Sequence, residues 1–294
     1  MRVTSREVFD GDQAAPTAVA EVLRLKPLPH HRFLAEPISS SGRRTIYGGQ
    51  VAAQALRAAS LTVPDGRVAH SLHAYFLAAG DASAPIMLEV ERDRDGGRYS
   101  GRRVIARQND SVIFSMACSF ARPKDNAPEF QAAEMPDVEP PAQLPTHQLN
   151  ASRTFDLEAR VPQDEPWYRW PARLWLRIRE PLDDDPNVRA CGVVFLSDLC
   201  TGLSRVPQIE QVGLLPSLDH AVWLHRGGDP NQWLLVDLHP LATAGGRGVY
   251  SGQIFDEAGA LLADLTQESL FDIPAARARP IPAQNNELNK YPLR

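Results

Sequence analysis

The stretch that decides the fold runs from residue 47 to residue 77: Tyr47-Gly48-Gly49-Gln50, then Val51–Val63, then the run His70–Leu77. Val51, Ala55, Ala58 and Ala59 recur at helical spacing and Leu56 widens the stripe, so Val51–Val63 is expected to be a helix. Its small residues allow whatever covers it to approach closely. The two preceding glycines leave backbone N–H groups accessible at the helix N-terminus. From His70 the texture changes. His70–Leu77, Pro85–Asp93, Tyr99–Gln108 and Ser111–Arg122 are rich in aromatic and β-branched residues, and Asp95-Gly96-Gly97 and Asn109-Asp110 separate them as turns. One helix followed by several strands indicates an α+β fold, not alternating β/α units.

Upstream, Thr17–Leu25 is a helix candidate with Val19, Val22 and Leu23 on one side, and Arg32–Ile38 is a candidate edge strand. Downstream, Pro123, Pro128, Pro136, Pro140, Pro141 and Pro145 exclude regular structure over most of residues 123–150. This segment divides the chain into a unit 1–122, a Pro-rich linker 123–150 and a second unit 151–294. The second unit opens with a period-2 strand: Ala172, Leu174, Leu176 and Ile178 on one face, and Arg173, Trp175, Arg177 and Arg179 on the other. Val193–Val206 is its helix candidate, with Asp198 in the early part. Strands follow at His220–His225, Gln232–His239, Gly246–Asp256 and Leu261–Phe271. Helix-then-strands therefore occurs twice. Tyr99-Ser100-Gly101 recurs as Tyr250-Ser251-Gly252 (250 − 99 = 151), Ser71-Leu72 as Ser217-Leu218 (217 − 71 = 146), and the strand ends Phe120 and Leu270 are 150 apart, which points to an internal duplication.

The 294 residues, 43% hydrophobic and 23% charged, lie in the globular range. A net charge of −5 argues against a nucleic-acid partner. Cys118, Cys191 and Cys200 form neither a CxxC pair nor a zinc-spaced cluster and read as reduced, buried thiols of a cytoplasmic protein. The start MRVTSREVFDGD lacks the apolar core of a secretion signal, no apolar run approaches a membrane span, and the terminal Pro-Leu-Arg matches no targeting signal. No metal or cofactor motif is present. HExxH is absent, and Gly97-Arg98-Tyr99-Ser100-Gly101 has the wrong spacing for a GxSxG nucleophile elbow.

Taken as a set, several blocks resemble the type II acyl-CoA thioesterase family. They are Ile46-Tyr47-Gly48-Gly49-Gln50-Val51-Ala52-Ala53-Gln54-Ala55-Leu56, His70–Leu77 with Gly80-Asp81, and Arg94-Asp95-Gly96 with Tyr99-Ser100 and Arg102-Arg103-Val104. In the second half they are Ser197-Asp198-Leu199, Asp219–Trp223, Trp233-Leu234-Leu235, Arg247-Gly248 and Thr266-Gln267-Glu268. The resemblance implies a double hotdog: two long helices, each wrapped by an antiparallel sheet, with the sheets joined. It implies hydrolysis of acyl-CoA to fatty acid and CoA without a cofactor, in a homodimer or higher homo-oligomer without stable membrane insertion.

Thioester hydrolysis needs a held water, a base and a donor for the carbonyl. The family's water-holding aspartate, threonine and glutamine carry over to Asp198, Ser217 and Gln267. Ser217 departs from the usual threonine but keeps a hydroxyl, and Cys200-Thr201-Gly202 departs from the usual residues after the aspartate. Asp198 at a helix N-terminus would also suit the helix dipole. His70, His73, Gly48 and Gly49 are weaker candidates, and Arg92, Arg94, Arg98, Arg102, Arg103 and Arg107 form a candidate contact for CoA phosphates. The rival readings are a non-catalytic acyl-CoA-binding protein and a hotdog hydratase or dehydratase. The latter needs a histidine on the active-site helix, which the Asp198 helix lacks.

Overall fold

The computed structural model describes residues 15–38, 44–124, 126–163, 167–213 and 215–274. The readings of the starting dodecapeptide and of the terminal Pro-Leu-Arg lie outside them. In chain order the elements are α1 (Val19–Val22), β1 (Lys26–Leu28), β2 (Arg32–Ala35), α2 (Gly48–Ser60), β3 (Val68–Phe76), β4 (Ile86–Asp95), β5 (Tyr99–Gln108) and β6 (Ser111–Ala121). Then come β7 (Thr146–His147), β8 (Leu157–Arg160), β9 (Arg173–Ile178), α3 (Pro186–Ser197), β10 (Asp219–Leu224), β11 (Leu234–Ala244), β12 (Arg247–Asp256) and β13 (Leu261–Leu270). Among the described residues no helix is long and apolar enough to cross a membrane.

The strands form one sheet in the order β1-β2-β4-β5-β6-β3-β10-β13-β12-β11-β9-β8-β7. Its seam is the antiparallel pair β3–β10, where Ala74 faces His220 and Leu72 faces Val222. The hairpins are legible in the residues that close them. Asn109 takes φ 51° between β5 and β6, and Gly245 and Gly246 take φ 57° and 75° between β11 and β12. Gly245 and Gly246 thus have the positive φ at both central residues that a two-residue turn with the sheet's own twist favours, whereas the Asn109-Asp110 turn has it at its first residue only.

Helices α2 and α3 lie against each other beside the seam. The alanines of α2, Ala52, Ala53, Ala55, Ala58 and Ala59, are fully buried, because α3 covers one side and the sheet the other. On β9, Leu174, Leu176 and Ile178 are buried in the main core. Trp175, on the opposite face, packs with Leu235, Phe255 and Leu261 beneath Ala133, Met135 and Val138. Its indole N–H donates to the Glu139 carbonyl at 3.1 Å. The Pro-rich segment thus covers the outer face of the second half.

Two expected elements move. The first helix candidate shrinks from Thr17–Leu25 to one turn, Val19–Val22. The second-half helix lies at Pro186–Ser197, not Val193–Val206. Asp185 accepts from the Asn187 N–H and Pro186 occupies the first turn, a strong start signal. Beyond Asp198 the chain passes into short 3-10 turns at Gly202–Arg205 and Pro207–Gln211.

The repeat is also in a different register from its apparent echoes. The hairpin-side ends of β5 and β12, Gln108 and Asp256, are 148 residues apart (256 − 108), so the two Tyr-Ser-Gly tripeptides are out of step by three. Tyr99 is exposed whereas Tyr250 is fully buried.

Candidate active site

Asp198 is the residue that ends α3, with φ −106° and ψ 10°. This corrects the expected N-terminal position. At a helix C-terminus the dipole opposes a carboxylate, so dipole stabilisation by α3 cannot account for it. The compensation comes from the first half. Tyr47, the N-cap of α2, makes no side-chain cap hydrogen bond, and the Gly49 N–H donates instead to Asp198. The two ends are locked further by the Tyr47 hydroxyl, which donates to the Phe195 carbonyl in the last turn of α3 at 2.7 Å. Gly49 is therefore a direct neighbour of Asp198.

The other two residues approach from the sheet. Ser217 precedes β10 and bridges to Ser269 on β13. Gln267 points inward from β13, opposite Tyr250, and is 2% exposed. Its Nε2 donates to Asp198 Oδ1 at 2.9 Å and to Ser217 Oγ at 2.6 Å. Ser217 Oγ donates to the same Oδ1 at 3.4 Å. The three candidate residues, drawn from three remote parts of the sequence, are thus brought into one hydrogen-bonded cluster. Asp198 Oδ2 lies on the Gly48 side, where a Cβ added to Gly48 would stand 2.6 Å from it. Glycine at 48 keeps that approach open.

Burial pushes the Asp198 carboxyl above the usual carboxylate range. The nearby His220, the Gln267 amide, the Gly49 N–H and the Ser217 hydroxyl offset this in part. A carboxylate raised in this way is a stronger base than an exposed one. The cluster opens into a cavity of about 270 Å³ that carries both apolar and polar walls, among them Tyr47, Leu149, Trp170, Leu199, Leu215 and Tyr250. Such a lining suits an apolar chain ending in a polar reactive group.

The weaker candidates fall elsewhere. His70 sits 2.8 Å from Ser119 Oγ, and His73 packs edge-on against Trp223; neither lines the cavity. Among the arginines, Arg92 and Arg102 pair with Asp95, Arg103 with Asp93 and Arg107 with Glu89. These four are occupied within their own β4–β5 hairpin. No group of three or more His, Cys, Asp or Glu among the described residues is placed to hold a metal.

His220 and Tyr47 complete the surroundings. Neither stands out as a site residue in the sequence. For His220 the available signal is parity: it shares the inward face of β10 with the fully buried Val222.

Two family models match, described as the acyl-CoA thioesterase N-terminal domain over residues 35–121 and the C-terminal domain over residues 131–271. The chain belongs to the type II acyl-CoA thioesterase family. Its members are thioester hydrolases, and their two matched domains take in both ends of the helix contact at which Asp198 sits. Acyl-CoA thioesterase 2 of Haemophilus influenzae is 33% identical over 253 residues, spanning 78% of this chain and 88% of its own. Human acyl-coenzyme A thioesterase 8 is 29% identical over 291 residues, spanning 87% and 89%. The crystal structure of the acyl-CoA thioesterase II TesB2 from Mycobacterium marinum superposes with a TM-score of 0.76 at 35% identity, over 88% of this chain and 100% of that one. A hotdog-fold protein from Alicyclobacillus acidocaldarius superposes at 0.72 with 20% identity, over 87% and 98%. The fold is a hotdog fold.

Proposed function

We propose that this thioesterase hydrolyses acyl-CoA to a free fatty acid and CoA with a water activated by Asp198 and held by Ser217 and Gln267. The observation that carries the reading is the convergence of Gln267 and Ser217 on Oδ1 of a partly buried carboxylate that lines a mixed apolar and polar cavity. Asp198 takes a proton from water as the water oxygen attacks the thioester carbonyl carbon. The tetrahedral adduct collapses, the C–S bond breaks, and the proton passes to the departing CoA sulfur. Ser217 offers its hydroxyl oxygen to the water, and Gln267, through its N–H bonds to Asp198 and Ser217, fixes the two groups between which the water is oriented. His220 is fully buried and lines no part of the cavity, so it does not supply the substrate-facing acid or base that a hydratase needs.

The same reading takes the chain as a double hotdog, with units 1–122 and 151–294 joined by the linker 123–150. The repeated order of α2 then β3–β6 and α3 then β10–β13 supports it. It also takes the enzyme as cytoplasmic, in keeping with three buried free cysteines, and as a homodimer or higher homo-oligomer.

The test is release of free thiol from acyl-CoAs of graded chain length. Turnover is expected to persist in chelator. Ser217→Ala and Gln267→Ala are expected to slow it less than Asp198→Asn, with Ser217→Thr tolerated. Single-turnover hydrolysis in ¹⁸O-water is expected to leave label in the product acid and none in Asp198. Label in Asp198 would instead show direct attack by the carboxylate through a mixed anhydride. Failure of every chain length to turn over would overturn the function.

A further inference from the structure

We infer that His220, as a neutral imidazole protonated on Nδ1, is the positioning residue that sets the direction of the Gln267 amide. The tautomer is argued from the two unmatched atoms His220 Nδ1 and Gln267 Oε1; its catalytic consequence rests on the reading of Asp198, Ser217 and Gln267 given above.

The register brings the two side chains together. Ala221 pairs with Thr266 and Val222 with Leu265, which sets His220 opposite Gln267 on β10 and β13. Both face inward; His220 is fully buried and Gln267 nearly so. Directly opposed residues on one face of an antiparallel pair hold their Cβ atoms about 5 Å apart, within reach of a ring and an amide. Gln267 Nε2 spends its hydrogens on Asp198 and Ser217, so Oε1 must turn away from them. Gln267 Oε1 and His220 Nδ1 are both buried without a hydrogen bond of standard geometry, and the Gln267 amide is the ring's side-chain hydrogen-bonding neighbour.

A buried polar atom left unmatched is costly. A proton on Nδ1 turns two unmatched atoms into one donor–acceptor pair. On the other side of the ring, Nε2 lies 2.8 Å from Ser197 Oγ, which also lies 2.9 Å from the Val194 carbonyl; with Nδ1 protonated, the one Ser197 proton goes to Nε2 and Val194 gives it up. With the proton on Nε2 instead, Nδ1 and Oε1 would face each other as two acceptors. The amide would relieve this by turning over, and Oε1 would then meet the Asp198 carboxylate. The imidazole tautomer therefore decides which end of Gln267 faces the acid. Burial lowers the His220 pKa, with Asp198, the Gln267 amide and Asp219 acting in the opposite direction, in keeping with a ring that is neutral near pH 7.

The first half provides a comparison. One repeat earlier (220 − 72 = 148, the same offset as the starts of β12 and β5, 247 − 99 = 148) stands Leu72. It pairs with Cys118 on β6, and both are buried. The fold therefore accommodates leucine at this place in the repeat, and packing alone does not call for a histidine at 220.

The experiment combines ring nitrogen NMR with kinetics of His220→Leu, His220→Asn and His220→Gln, with Asp198→Asn alongside. Long-range ¹H–¹⁵N spectra of the wild type are expected to show His220 protonated on Nδ1 alone. His220→Leu is expected to lower kcat roughly 10- to 100-fold through a misdirected amide, with KM nearly unchanged. Asn carries its N–H where Nδ1 stands and is expected to restore most of kcat. Gln carries it where Nε2 stands and is expected to remain slow, which decides the matter if the leucine variant does not fold. An Nε2–H tautomer, a leucine variant with wild-type kcat, or a glutamine variant as fast as the asparagine one would overturn the inference. Wild-type turnover in Asp198→Asn would instead remove the catalytic reading and leave the tautomer to report the His220–Gln267 pair.

Discussion

Asp198→Asn is expected to do two opposite things at once. It keeps the side-chain volume and an acceptor for Gln267, 2.9 Å away, but removes the proton acceptor. As a general base Asp198 is worth roughly 10²–10⁴ in kcat, and KM should change little because the group does not hold the ground-state substrate. Stability should move the other way. Three donors converge on the carboxylate, yet burial outweighs them and its pKa lies above the ordinary value. An acid whose pKa is raised by folding costs stability wherever the unfolded state has already lost its proton. The cost is about 1.4 kcal/mol for a tenfold weakening of the acid. Below about pH 4 the group is protonated in both states and costs nothing. As pH rises to the folded pKa the cost grows, and above that it is constant. The asparagine variant, which never ionises, should therefore melt at nearly the wild-type temperature near pH 4 and higher at pH 8. Each kcal/mol removed raises Tm by about 2–4 °C in a domain of this size. Scanning fluorimetry across pH 4–8, with kcat measured on the same samples, is the assay. A variant that is slow but less stable at pH 8 than at pH 4, relative to wild type, would refute the account of the buried charge. A variant with near-normal kcat would refute the base.

Gly48→Ala puts a methyl 2.6 Å from Asp198 Oδ2 and 2.9 Å from the Phe76 ring, so it should lower kcat about 10²-fold by displacing the carboxylate while the fold persists; wild-type kcat would show that the approach past residue 48 is not used. Cys118 and Cys200 are pushed up to about 12 by burial, and buried Cys191 is raised as well. Iodoacetamide at pH 8 should therefore leave native turnover intact although Cys200 lines the cavity, and prompt inactivation would contradict this.

The sequence shows what depends on near neighbours. The hairpins are readable from Asn109-Asp110 and Gly245-Gly246, and α2 from its alanine stripe. Following the apolar run at Val193 misplaces α3, because it passes over the Asp185-Pro186 start signal, and start signals locate a helix boundary more sharply than hydrophobicity does. Asp198, Ser217 and Gln267 are reached through family resemblance, since nothing local distinguishes an aspartate after a helix or a glutamine in a strand. The contact of Asp198 with Gly49 is not readable, because its two ends are 149 residues apart (198 − 49) and meet only when the helices pack.

That packing also bears on why, of the two α2–α3 junctions, the one at Asp198 holds a carboxylate at a helix C-terminus. Side-by-side antiparallel helices bring the C-terminus of each near the N-terminus of the other, so the seam has two such junctions. At one, α3 ends in Asp198, where the α2 N-terminus can receive its charge. At the other, α2 ends in Leu61, and the inward pair behind it is Leu72 and Cys118 instead of His220 and Gln267. The N-terminus of α3 there is already capped by Asp185 and begins with proline, which has no N–H to offer. Its Asn187 ties to the backbone of Arg67 and Ala69. Leu61 is 47% exposed, so a carboxylate there would be held by water, facing a capped helix end with no counterpart of the Gly49 donor. The glycine pair before α2 and the aspartate after α3 make sense together: each half supplies what the other lacks, and neither half alone would hold the acid.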